Sequence, residues 1–91
     1  MKAYIVVEEG NTSRGFETKV SETAYPHLET AKIELVEKVN AIKANPIPYF
    51  GYARKEDLRK KWLTDRMVEL KDWFSGDIIN VYIHEINVLE P

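Results

Sequence analysis

KEDLRKKWLTDRMVELKDW, residues 55–73, is the stretch on which the fold turns. On a 100° wheel Leu58, Trp62, Leu63, Met67, Leu70 and Trp73, with Phe74 next, spread over roughly half of a helix circumference. The spacing predicts a helix here, stopped by Ser75, Gly76 and Asp77. That helix would carry Arg59 and Arg66 inside its apolar arc, where arginine needs a reason. Three reasons compete. The arginine stems pack on tryptophan faces and their guanidinium groups reach the domain edge or Glu69. Alternatively the arc is a protein interface, which tryptophan, tyrosine and arginine most often anchor. In the third, arginines beside aromatics grip nucleic acid. From Tyr49 to Phe74 seven cations stand against five acids, and those acids weaken the third reading.

Upstream, Pro46 and Pro48 break any helix, so residues 45–52 form a loop rich in aromatics, Tyr49, Phe50 and Tyr52. These aromatics are expected either as a lid on the core or as anchors for a partner. Before the loop, Leu28, Ala31, Leu35, Val36, Val39 and Ile42 recur at three- and four-residue steps, an amphipathic helix entered near Pro26. Ile33 points away from that stripe, among Lys32, Glu34, Glu37 and Lys38.

The N-terminal third reads as strands. Residues 2–8 are rich in aromatic and β-branched side chains, with Ala3, Ile5 and Val7 on one face and Tyr4 and Val6 on the other, as in an internal strand. Residues 10–15 are a Gly-bounded hairpin loop. Phe16, Thr18 and Val20 then alternate with Glu17 and Lys19, an edge strand with one wet face. Residues 78–89 form the last strand, apolar on both parities or switched in phase by a bulge near His84. The expectation is an α+β fold in the order strand, strand, helix, helix, strand, with a three-stranded sheet packed against two helices. If both helices cover one face, the other exposes Tyr4, Val6 and Tyr82 or Ile86, an apolar patch that something should cover.

The 91 residues suffice for one domain, residues 1–91, with a modest core. An apolar share of 44% and a charged share of 31% belong to a folded globular chain. With no cysteine there is no disulfide and no thiolate chemistry, which fits a reducing cytoplasm. The apolar run of residues 3–7 is too short for a signal peptide or a membrane span. A formal charge of −2 gives no global attraction to nucleic acid.

Motifs for chemistry are missing. The glycines at positions 10, 15, 51 and 76 stand singly, so no phosphate-cradling loop exists. His27 and His84 lack standard metal spacing, and Ser13, Ser21 and Ser75 lie in or beside turns outside any nucleophile elbow. Neighbouring carboxylates such as Glu8 with Glu9 diverge on a strand instead of facing one substrate. No catalytic residue, cofactor or metal is expected.

Lys2, Tyr4, Val6 and Val7, then Ala24, Tyr25 and Leu28 to Ala31, and finally Tyr82, Ile83, Glu85 and Ile86, together resemble small α/β proteins encoded by phages and prophages. Residues 46–74 depart from that pattern. The resemblance implies a bacterial cytosolic accessory protein, of a kind that acts by binding and inhibiting host proteins, antiviral defence components included.

The residues thus point to a non-enzymatic protein-binding module, engaging another protein or a second copy of itself as a homodimer. The candidate contacts are Tyr49, Phe50, Tyr52, Arg54, Lys55, Arg59, Lys60, Trp62, Arg66 and Trp73. The alternative is a nucleic-acid-binding regulator using the basic second helix.

Overall fold

A computed structural model describes residues 1–12, 15–50 and 54–89. Five strands and one long helix make up most of it: β1 (Lys2–Thr12), β2 (Gly15–Val20), α1 (Leu28–Ala44), a one-turn helix α2 (Ile47–Phe50), β3 (Leu58–Thr64), β4 (Met67–Asp72) and β5 (Ile78–Asn87). A short 3₁₀ turn, Lys55–Asp57, leads into β3. The strands form one antiparallel sheet in the order β2-β1-β5-β4-β3, with α1 on one face. The fold is α+β, but the sheet has five strands instead of three and the second long helix does not exist.

Residues 58–72 form a hairpin because their apolar residues satisfy a period of two as well as a helical one. Val68, Leu70 and Asp72 are buried while Glu69 and Lys71 between them are not. A helix would have left Val68 outside the apolar arc, yet its side chain is wholly buried. Thr64 turns the chain by accepting the Arg66 N–H on its hydroxyl at 3.0 Å, and a register irregularity between Trp62 and Thr64 follows from the tight turn.

Residues opposite one another in an antiparallel pair share a face, so the register assigns every side chain. Val6 faces Ile83, Val68 faces Val81 and Leu70 faces Ile79, all on the α1 side. Ala31, Leu35, Val39 and Ile42 descend onto them from α1, and Phe50 and Leu58 close the end of the same cluster. Val36 is exposed instead of joining the stripe, and Ile33 is exposed as its phase requires. The helix ends where Pro46 follows Asn45, whose N–H still bonds the Ala41 carbonyl at 3.1 Å.

The uncovered face carries Tyr82 and Ile86 as anticipated, but for β1 it is the opposite face from the one expected. Tyr4 and Val6 point to the helix, and the open face carries Ala3, Ile5 and Val7 from β1 beside Tyr82 and Ile86 from β5. β5 keeps an unbroken register past His84 to Asn87, so no bulge switches its phase. β2 lies at the sheet edge as expected, but it is exposed along its whole length, Phe16 and Val20 included, instead of having one dry face, because α1 does not reach it and nothing among the described residues covers the other side.

Candidate functional site

The hairpin places β3 at the free margin of the sheet, and most of the candidate contact residues lie on it or beside it. Arg54 and Lys55 are exposed at the 3₁₀ turn. Arg59, Lys60 and Trp62 are exposed on β3. Trp73, just past β4, returns to the same margin by donating its N–H to the Asp57 carbonyl at 2.8 Å, and its side chain is 70% exposed.

Other candidates are taken elsewhere. Phe50 is in the core, and Tyr49 is half-buried against it with Lys19 Nζ 5.6 Å above its ring, so both belong to a lid. Tyr52 lies outside the described residues. Arg59 and Arg66 do not share a face. Arg59 stands on the open-face parity, opposite Lys71, and its guanidinium donates to the Glu56 carbonyl at 2.7 Å. Arg66 sits on the helix-side parity, 4.0 Å from the Glu85 carboxylate. The arginines that a helix would have put into an apolar arc thus lie on separate sides of a sheet, Arg59 exposed and Arg66 half-buried.

Backbone direction at β3 follows from the same hydrogen bonds. Because the Asp57 carbonyl faces β4, alternation turns Arg59 and Lys61 toward β4 as well and leaves the N–H and C=O of Lys60 and Trp62 pointing outward. No strand lies beyond them among the described residues. Their side chains alternate too: Lys60 and Trp62 are on the helix side, Arg59 and Lys61 on the open face. The seven residues LRKKWLT contain three cations and no acid, although Glu56 and Asp57 precede them.

Leu63 and Phe74 are exposed additions to this margin that helical phasing put into the apolar arc, Phe74 being 90% exposed, and Lys61, a basic residue of the nucleic-acid alternative, is exposed beside them. Alternation of Val68, Glu69, Leu70 and Lys71 was the available signal.

Across the open face runs a polar row, one residue from each strand: Thr18, Glu9, Asn80, Glu69 and Lys61. The Tyr82 hydroxyl donates to Glu9 at 2.6 Å, and that bond to a carboxylate, with the charge of Glu9 and some burial, raises the hydroxyl's pKa above its usual value. Asn80 Oδ1 is buried without a hydrogen-bond partner among the described residues. On one side of this row the face is mostly apolar, with Val20, Val7, Tyr82 and Met67 in the adjacent row and, beyond it, Ile5 opposite exposed His84 and Ala3 opposite Ile86.

Among the described residues no three His, Asp or Glu side chains gather as a metal would require, and no helix is long and apolar enough to cross a membrane. No protein-family model matches the chain, and neither the curated proteins nor the solved structures offer a match.

Proposed function

We propose that the chain is a non-enzymatic protein-binding module whose contact surface is the β3 margin. The observation that carries this reading is an unpaired edge strand of seven residues bearing three cations, with exposed Trp62 and Trp73 beside it. Aromatic and arginine side chains supply contact area, and free backbone groups supply direction. The nucleic-acid alternative is weaker here, because Lys60 and the pair Arg59 and Lys61 lie on opposite faces of the strand. A phosphate backbone is best tracked by cations on one side. Inhibition of a host protein, which the resemblance implies, is compatible with such a module.

A photo-crosslinking residue at Lys60, compared with one at exposed Asn40 on α1, tests the reading in cells producing the protein. Protein adducts at position 60 that resist nuclease, with few at position 40, are expected. Equal yields at both positions, or adducts lost on nuclease treatment, overturn it.

A second reading, self-association through the open face, is favoured by its apolar half. Covering half-buried Ile5, Tyr82 and Ile86 and exposed Val20 with the same patch of a second copy, over Ala3 and Val7 that are already buried, would give an isologous contact with an apolar centre. Light scattering across a concentration series tests it: a dimer mass that reverts to monomer in Ile5→Lys supports the contact, and a monomer at all concentrations removes it.

A further inference from the structure

We infer that the β3 edge accepts an extended acidic peptide segment as a sixth, antiparallel strand, with Lys60 and Trp62 supplying the backbone hydrogen bonds. The inference rests on the protein-binding reading and names its partner. Two residues with both N–H and C=O directed outward offer four hydrogen bonds to an incoming strand, the pattern by which extended peptides extend a sheet.

Charge selects the occupant. A strand added beside β3 places its alternate side chains next to Lys60 and Trp62 on the helix side and next to Arg59 and Lys61 on the open face. Acidic residues on either face therefore meet a cation, which a one-sided polyanion does not match. A second copy of β3 is disfavoured at this position, since three cations of one chain would lie beside three of the other. The charges that guard the edge against its own kind thus leave it open to an acidic strand. Neither Arg59 nor Lys60 nor Lys61 forms a salt bridge among the described residues, and of the three only Lys61 faces an acid, Glu69, across the ladder. Their charge is largely available to a partner.

The test is an NMR titration of the ¹⁵N-labelled full chain with a ten-residue peptide repeating Glu-Glu-Val-Val, which as a strand carries carboxylates on both faces, and with the same peptide carrying lysine for glutamate. The acidic peptide is expected to shift the amides of Lys60 and Trp62 and to slow their hydrogen exchange, while the basic one leaves them unchanged. The double change Lys60→Glu with Lys61→Glu should weaken binding about tenfold or more, and Lys60→Gln with Lys61→Gln by less. Dispersed spectra of each variant show that the fold persists. Equal binding of both peptides at β3, acidic-peptide shifts confined to other residues, or no binding at all overturns the inference. Nuclease-resistant crosslinks at position 60 together with no peptide binding would sink the inference alone and keep the protein-binding reading.

Discussion

At one margin of the sheet β2 exposes all six of its residues, with Glu17 and Lys19 paired at 3.7 Å and Phe16 and Val20 uncovered. At the other margin β3 exposes six of seven residues, three of them cations without an acid between them. Both are unpaired edges of one antiparallel sheet, and an unpaired edge invites pairing. β2 is electrically neutral and short, and nothing in its charge discriminates one partner from another. β3 discriminates by sign. The difference teaches that edge protection and edge recognition can be the same set of side chains, since lysine and arginine repel an identical strand while attracting an acidic one.

The comparison depends on β3 being a strand with a defined outward side, and proline substitutions can break it most directly. Lys61→Pro removes an N–H that faces β4 and should cost about 3 kcal/mol or more, seen as a large loss in the urea midpoint. Lys60→Pro removes an N–H that faces solvent and should cost no more than about 1 kcal/mol. Equal penalties at the two positions, as in a helix, would refute the register and with it the outward-facing backbone. Lys60→Pro also withdraws one donor from the proposed sixth strand, so peptide binding should fall while the fold stands.

Much of the N-terminal half was legible in the sequence because each segment there obeys one period. Phe16, Thr18 and Val20 alternate with charges, and Ala31, Leu35, Val39 and Ile42 fit only a helix. Residues 58–72 obey two periods at once, and their large apolar residues happen to form a helical arc. The decision is made by partners distant in the chain: Val81 and Ile79 on β5 supply the ladder for Val68 and Leu70, and no local pattern contains them. The candidate site was legible as a list and not as a geometry. Lys60 and Trp62 were identified, but their meeting at an open edge depends on strand order. For Phe50 the sequence left lid and anchor open, because a loop aromatic folds inward only if a core end is there to receive it, and here Leu58 provides one.

A smaller effect sharpens the comparison from between the two edges. Asn80 lies midway along the polar row from Thr18 to Lys61, and its side-chain oxygen is buried without a partner among the described residues. A buried acceptor left unbonded costs on the order of 1 to 2 kcal/mol, and valine suits an internal strand. Asn80→Val should therefore raise the melting temperature and, by joining the apolar half of the open face to Ile78, promote self-association in light scattering. A variant less stable than the parent would mean that the asparagine makes a favourable contact on that face. Because β3 lies two strands away, acidic-peptide binding should be unchanged.

The smallest effect concerns Tyr82, whose hydroxyl donates to Glu9 from β5 to β1, the strand that carries β2. The proton in that bond is held more tightly in the folded chain, so the tyrosine's folded pKa lies above its ordinary value of about 10. The unfolded chain then releases its proton first as pH rises, and the contribution of this bond, fully present below about pH 10, is lost as pH climbs through the folded pKa. Tyr82→Phe lacks the bond at every pH. The stability difference between parent and variant should be constant from pH 7 to 9 and shrink above about pH 10, with the alkaline behaviour shared by both proteins cancelling in the difference. A difference that stays flat through pH 11 would mean that the ring, and not the hydroxyl, holds β1 to β5 at this point. The side chain of Tyr82 would then add only apolar contact to the backbone ladders that hold the neutral edge, while the cationic edge keeps Lys61 opposite Glu69 at the far end of the same row.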